Sequence, residues 1–483
     1  VVGGEKSGGI EKYSPSRREK ERLMRRGLND LFLKATTLLV AAFFIVSPLS
    51  AQDLIETSVR PLNLHQAIVT ALTNNPDVAS MLRAVGKSEY LYRAASKEWL
   101  PVLSVDYSFT GFPRVPEMLL DGLDDSGASD SFPLTDNTSF VFGAHVKMPL
   151  YTAGAIKYRK DMARFGIDVS KMRFLEARAD LIQEVTIDYH NILRFQNYSK
   201  VVAENLKRFI EHEENTKINF EVGLIAKNAL LEIRAKRANV QQDLIEVEKD
   251  LRMARYALNV AMGINIDARF ILEDIEERRE IAYSAGECFD LARDNNPSLA
   301  VFTYLSRIAE TDVKLQKTDL WPKVYGDVSY YKHGKTPALA GDDYFTNDIV
   351  MAVVKADWKV FDWLRTMDLA RAKKEDVAIL VEKLRSIEDR VALDIRGAHL
   401  AMKAAKNKFL VAERGIEYAD ENYRIAQLRY DELVAKSTEV NDALVLLRRS
   451  QFNYYTAFYR YSIAVAKLER VIGMNGYPYE DRI

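Results

Sequence analysis

Leu103, Val105, Tyr107 and Phe109 point one way along an extended chain, while Ser104, Asp106, Ser108 and Thr110 point the other. The same period of two returns in SFVFGAHVKMPLY, where Phe140, Phe142, Ala144, Val146, Met148 and Leu150 oppose Val141, Gly143, His145 and Lys147. It returns again in KVYGDVSYY, and in IVMAVVKADWKVF, where Val350, Ala352, Val354, Ala356 and Trp358 oppose Met351, Val353, Lys355, Asp357 and Lys359. The alternation predicts four strands, at about 102–111, 139–151, 323–331 and 348–361. Strands of this length and alternation suit a membrane barrel, and a half-buried soluble sheet gives the same pattern strand by strand. Between the members of each pair, Gly111–Ser139 and Lys332–Asn347 read as polar, solvent-facing loops.

The period then changes. No proline interrupts Leu150–Asn296 or Ala338–Tyr477, so residues 152–219 and 363–430 each read as one helix. Each would be roughly 100 Å long at 1.5 Å per residue. Ala398, Met402, Ala405, Phe409, Ala412, Ile416, Ala419, Tyr423, Ala426 and Tyr430 follow a 4-3-4-3 spacing. Val440, Leu444, Leu447, Gln451, Tyr454, Phe458, Tyr461, Val465, Leu468 and Ile472 repeat it on a returning helix. A sustained 3.5-residue seam specifies left-handed coiled-coil packing. The turns FEVGLIAKNAL and YDELVAKSTEV close helical hairpins at 152–262 and 363–472.

The whole order is written twice. Asn74-Asn75-Pro76 and Asn295-Asn296-Pro297 each stop a short helix and start another that runs to Pro101 or Pro322. Gly263 and Gly473 end the two returning helices. The repeats span 52–278 and 279–473, followed by a tail at 474–483.

The chain has 483 residues, 48% hydrophobic and 28% charged, with a formal net charge of −1, which gives no reason to expect nucleic-acid binding. Residues 24–51 resemble a secretory leader: Arg25, Arg26 and Lys34 precede the apolar run Ala35–Val46 and a small-residue exit. Residues 1–23, upstream of Met24, read as a mis-called start or a disordered lead-in, outside the fold either way. The single cysteine, Cys288, allows no internal disulfide, and no cysteine follows the leader to carry lipid. The expected destination is the periplasm or outer membrane.

In this order of elements the chain resembles the TolC-type outer-membrane efflux proteins from Leu62 to Gly473. The likeness rests on NNP…WLP and NNP…LWP, on the turns FEVGLIAKN and YDELVAKST, and on the duplicated helix–strand–strand–hairpin order. It implies an α+β membrane protein, a homotrimer in which four strands per protomer form a 12-stranded β-barrel continued by a long periplasmic α-helical coiled-coil barrel. It also implies a periplasmic adaptor (membrane fusion) protein and an inner-membrane pump as partners, with outer-membrane lipid around the barrel. Independently, four strands are too few to close a barrel, for which about eight is the practical minimum.

By position, the resemblance assigns adaptor docking to Val222, Gly223 and Leu224 in the first turn. In the second it assigns Leu433, Val434, Ala435 and Lys436, with Leu433 in place of the glycine. Glu439 and Asp442, at i and i+3 just past the second turn, match the acidic entrance gate. Candidate lumen residues are Ser104, Asp106, Ser108, Thr110, His145, Lys147, Lys355, Asp357 and Lys359. Tyr107, Trp358 and Trp363 suit either a membrane interface or barrel-to-helix packing. The six histidines form no close ligand pair, and neither a phosphate loop nor a nucleophile elbow is present. No cofactor and no catalysis are expected. Function therefore reads as a passive exit duct for an efflux or type I secretion system, with an exported coiled-coil spacer or adhesin stalk as the alternative.

Overall fold

The structure, a computed structural model, describes residues 61–120, 130–134, 136–274, 282–341, 348–432 and 434–473. The leader, the lead-in, the C-terminal tail and Leu433 lie outside the described residues. Strand β1 (Pro61–Leu62) opens the first repeat, followed by helices α1 (Leu64–Asn74) and α2 (Pro76–Ala95). Then come β2 (Val102–Gly111), a small hairpin of β3 (Glu117–Leu120) and β4 (Asp130–Pro133), and β5 (Thr138–Tyr151). Helix α3 (Ala155–Glu221) is 67 residues long, and α4 (Lys227–Ala261) returns along it. After β6 (Ile271–Leu272), which pairs in parallel with β1, the order repeats. The second repeat comprises α5 (Ala285–Asn295), α6 (Pro297–Lys317), β7 (Lys323–Gly334), β8 (Asp348–Asp357), α7 (Arg365–Asp431) and α8 (Ser437–Ile472).

Local chemistry sets these boundaries twice over. Asn63 and Ser284 start α1 and α5 with matching capping boxes closed by Gln66 and Glu287. Asn75 accepts hydrogen bonds from the Asp77 and Val78 amides, and its Nδ2 donates to Ala261 O at 3.0 Å. Asn296 does the same with Ser298 N and, at 2.9 Å, Val471 O. Each asparagine thus caps one helix while tying down the last turn of the hairpin beside it. Gly263 (φ +65°) and Gly473 (φ +80°) complete the joint, because a Cβ on either would stand 2.5 Å from the carbonyl oxygen of Asn74 or Asn295. The repeated Asn-Asn-Pro and its distant glycine are one clamp, made twice.

The heptad seam is the core. Val391, Ile395, Met402, Phe409, Ala419, Ala426 and Tyr430 of α7 are buried, as are Val440, Leu444, Leu447, Tyr461, Val465, Leu468 and Ile472 of α8. Full burial of one such aliphatic or aromatic side chain contributes about 1.5–3 kcal/mol. Toward the turns a shared cluster joins Val202, Phe209, Ile233 and Val240 of the first hairpin to Tyr430, Val440 and Leu444 of the second.

Where the two repeats meet, α3 also presents a polar column. His190, Asn197, Asn205, His212 and Asn219 recur at seven- or eight-residue steps. Asn197 Nδ2 donates to Tyr459 Oη at 2.7 Å and Asn205 Nδ2 to Gln451 Oε1 at 3.0 Å. His212 Nε2 lies 3.0 Å from Ser437 Oγ, its ring edge-on to Tyr430, and Asn219 Nδ2 donates to Tyr430 Oη.

The four-stranded sheet has the order β2-β5-β7-β8 and is antiparallel throughout, with a bulge at Pro149/Tyr151. Three sequence expectations need correction. Strand β7 runs to Gly334, three residues into the span expected as loop. Gly111–Ser139 is not wholly loop, since β3 and β4 pair within it, the short apolar runs MLL and SFP being hidden among its turn-forming residues. The last strand ends at Asp357 rather than 361, because Trp358 Nε1 donates to Leu320 O at 3.1 Å and draws the chain toward the turn that follows α6. No helix among the described residues is long and apolar enough to cross a membrane, which leaves a barrel untouched.

Gly263→Ala and Gly473→Ala should each destabilise the helical region by about 1–3 kcal/mol, from left-handed strain and the clash with the asparagine carbonyl. Thermal unfolding followed by circular dichroism measures this, and a loss near zero would remove the clamp. Burial, the largest cause, lowers His212 and His190 from their ordinary value of 6.5. Their neutral forms therefore contribute stability that is present above pH 6.5 and lost as pH falls below it, while the unfolded imidazoles take up protons. Hydrogen exchange of the α3–α8 seam should accelerate between about pH 7 and about pH 5, beyond the intrinsic chemical trend. His190→Asn with His212→Asn should flatten that dependence.

Candidate functional site

Cross-strand register decides which side chains share a face. Ser104, His145, Ser329 and Met351 stand opposite one another across all four strands, and Lys147, Asp327 and Val353 form the next row. Continuing by twos, one face collects Ser104, Asp106, Ser108 and Thr110 of β2 with His145 and Lys147 of β5. Lys323, Tyr325, Asp327, Ser329 and Tyr331 of β7, and Lys355 and Asp357 of β8, complete it. The opposite face collects Leu103, Val105, Tyr107, Phe109, Phe140, Phe142, Val146, Val328, Val350 and Val354. Val350 is 74% exposed and Leu103 71%, which for aliphatic side chains in a regular sheet calls for an apolar medium or a partner.

The charges on the polar face are cross-linked. His145 Nε2 lies 2.7 Å from Asp106 Oδ1, and its Nδ1 lies 3.0 Å from Ser329 Oγ, which donates in turn to Asp327. Lys147 Nζ is 3.8 Å from Asp327, and Lys355 pairs with Asp357 at 3.1 Å. Gly143 leaves the space the Asp106–His145 pair occupies: a Cβ there would meet Asp106 Oδ1 at 2.7 Å. These ionic links lie toward the strand ends that join the helices, while Ser108, Thr110, Ser139 and Tyr331 toward the loops carry no charge. Of the nine expected lumen residues, eight fall on this face. Lys359 does not, since it lies beyond the end of β8 with no register partner. Asp327, Ser329 and Tyr331 belong to the face and were visible in the alternation of KVYGDVSYY.

At the far ends of the hairpins the two turns expose small apolar surfaces. In the first, Leu224 N donates to Asn219 O at 2.9 Å and Gly223 (φ +79°) N to Phe220 O at 3.0 Å, a Schellman closure that leaves Val222 and Leu224 exposed. In the second, Val434 N donates to Arg429 O at 2.9 Å, the equivalent closing bond, with Val434 and Lys436 exposed and Ala435 half-buried. The closing bond therefore forms with Leu433 standing in the sequence where the first turn has glycine.

Just past this turn, Glu439 Oε1 accepts from the Lys436 backbone N–H at 3.5 Å, and its carboxylate lies 3.4 Å from Arg429. Asp442 lies 3.4 Å from Lys236, which also holds Glu232 at 2.9 Å. Both carboxylates are exposed and each is matched by a cation of its own protomer, a feature the acidic spacing alone did not disclose. Lys236 joins the first hairpin to the second at this level, as Arg448 does with Asp243 higher up.

A model of the outer membrane efflux protein family matches residues 67–264 and 289–474, one segment in each repeat. Among solved structures, the CmeC outer membrane channel of Campylobacter jejuni superimposes with a TM-score of 0.74 at 14% identity, covering 86% of this chain and 87% of that one. The outer-membrane channel OprN gives 0.71 at 15% identity over 85% and 90% of the two chains. The outer membrane protein VceC from Vibrio cholerae gives 0.70 at 14% identity over 85% and 96%. By sequence, no curated protein matches. At such identities the superpositions establish a common fold, and the family match decides against a spacer or adhesin stalk. The chain belongs to the outer membrane efflux protein family, its sheet placed in the outer membrane and its helical hairpins in the periplasm.

Proposed function

We propose that three copies of this chain close their sheets into one 12-stranded barrel and their hairpins into a tunnel below it, forming the passive exit duct of a tripartite efflux or type I secretion system. The observation that carries this reading is the sheet itself. Its polar face runs in register across β2, β5 and β7 and reaches β8 at Lys355 and Asp357, and the outer edges of β2 and β8 have no strand partner among the described residues. In hydrocarbon each unpaired backbone group costs several kcal/mol, so the edges call for other copies. Three copies of four strands bring the polar face inward as a wall that passes hydrated solutes.

The hairpins support the same assembly. Leu393, Leu400, Val411, Tyr418 and Ile425 form a second apolar stripe on α7, exposed and apart from the buried seam. In the assembly that stripe packs against helices of a neighbouring copy. The exposed turns at Val222–Leu224 and Val434–Lys436 then form a ring facing the inner membrane, where a periplasmic adaptor linked to an inner-membrane pump docks. Glu439 and Asp442 sit just inside that ring. Their exposed pairs with Arg429 and Lys236 are weak enough to exchange as the entrance widens. On opening, the freed carboxylates favour cations at the entrance.

Reconstituted protein should produce discrete conductance steps in a planar bilayer. Absence of any channel would overturn the duct. Glu439→Ala with Asp442→Ala should lower the cation-over-anion permeability ratio by roughly twofold or more and weaken block by divalent cations. Unchanged single-channel currents would remove the gate role and leave the duct standing.

A further inference from the structure

A groove of about 1550 Å³ runs along the helical layer where α8 lies between α3 and α7. Its floor is made of small residues, Gly397, Ala401, Ala405 and Gly415 of α7 with Ala457 and Ala464 of α8. The charges along it are one-sided: Arg194, Lys408, Arg460 and Lys467 against a single carboxylate, Asp394. None of these four cations forms an ion pair among the described residues, whereas Arg470 and Arg448 nearby on α8 are matched by Asp180 and Asp243. Arg194 is the most confined of the four, half-buried and lying 4.6 Å over the Phe195 ring. Burial first, and then the charge of Arg460, lower it from its ordinary value. Asp250 acts the other way, but it is already paired with Lys249 at 3.2 Å. Two guanidinium groups thus repel each other at the groove, and an anionic guest accepting from both relieves that repulsion.

The fold leaves this face bare. Ile187 and Asn191 line the groove, and each stands two residues from Tyr189, on the far side of a helix that turns about 100° per residue. Tyr189 donates to Leu62 O at 2.9 Å and to Glu273 O at 2.6 Å, beside the β1–β6 ribbon. Ala457 likewise stands two residues from Tyr459, which donates to Asp274 at 3.1 Å. Helix α1 packs on the ribbon side too, through Ile68 and Ala71. Ribbon and α1 therefore thicken one face of the helical layer, and the groove opens on the other. A tunnel that conducts carries this added bulk outside, so the groove lines the lumen. Its far edge, Leu393 and Val411, belongs to the exposed stripe at the seam between copies.

We propose that this groove is a weak cargo site for amphiphilic organic anions. Their carboxylate, sulfonate or phosphate group is held by Arg194, Arg460, Lys408 and Lys467, and their hydrocarbon body lies on the small-residue floor. The site rests on the duct reading above, which puts the groove in the path of the cargo. Arg460 lies roughly five turns beyond Asp442 on α8, so cargo passes an acidic entrance and then a basic wall. Four cations spread along a groove hand an anion from one to the next rather than trap it. A neutral or cationic solute of the same shape finds only the floor.

The test uses naphthalene-2-sulfonate and the cation 2-naphthylmethylammonium as probes, with the full chain in mild detergent. The sulfonate should bind saturably, above the uptake of detergent alone and at least about fivefold tighter than the ammonium probe. Lys408→Gln with Lys467→Gln, both at exposed positions, should weaken it at least about threefold, and Arg460→Gln should do the same. Lys403→Gln, an exposed cation two residues from Ala401 and outside the groove, should leave it unchanged. Equal binding of the two probes would overturn the anion class. An equal loss in Lys403→Gln would trace the effect to overall charge and overturn the site. Absence of saturable binding would mean that a neighbouring copy covers the groove, and would overturn the site as well. A planar bilayer separates the groove from the duct. There the Lys408→Gln, Lys467→Gln protein should conduct with its cation-over-anion permeability ratio raised by roughly 1.5-fold or more. Conductance with an unchanged ratio would overturn the cargo site and leave the duct. Sulfonate binding without any conductance would overturn the duct and the cargo role with it.

Discussion

A sheet of four strands with one apolar and one polar face cannot satisfy its own edges. Within the protomer β5 and β7 have partners on both sides, while β2 and β8 each have one among the described residues. In water such edges could be hydrated, but the exposed Leu103, Val105, Val350 and Val354 rule out a watery exterior as the natural setting. Placed in lipid, the same sheet must be continued by neighbouring copies until it closes on itself. Closure turns the polar rows inward, where Asp106, His145, Ser329, Asp327 and Lys147 stitch three strands together by side chain as well as by backbone.

The helical part is built to carry that closure over a distance. Each strand pair feeds directly into a 67-residue helix, whose returning partner covers only half its length. The shorter helix starting at Asn-Asn-Pro covers the rest, and the Asn75–Gly263 and Asn296–Gly473 joints hold the two pieces end to end. Between repeats the apolar cluster near the turns is joined by a polar column, with two histidines that burial lowers from their ordinary pKa, and by ionic links such as Lys236–Asp442. Within each hairpin an apolar seam makes separation costly.

Most of the architecture was legible in the sequence because two periods carry it. Dyad alternation marked the four strands, and the 3.5-residue seam marked α7 and α8, whose buried residues largely follow it. The duplicated Asn-Asn-Pro disclosed the repeat. What stayed hidden depends on three-dimensional partners. Nothing local indicates that Arg429 and Lys236 would face Glu439 and Asp442, since Lys236 lies on the other hairpin. Lys359 continued an alternation that Trp358 had already ended by bonding to Leu320. The left-handed Trp363-Leu364 turn was invisible because no glycine or asparagine marks it. β3 and β4 escaped notice among turn-forming residues.

The central claim, that the sheet is completed only by other copies, is tested most directly by native mass. Protein extracted in mild detergent should have the mass of three chains after the detergent contribution is subtracted. It should migrate as one heat-sensitive species that collapses to a single chain on boiling. A lone, fully folded chain that keeps its strand content and binds no more detergent than a soluble protein would contradict the account.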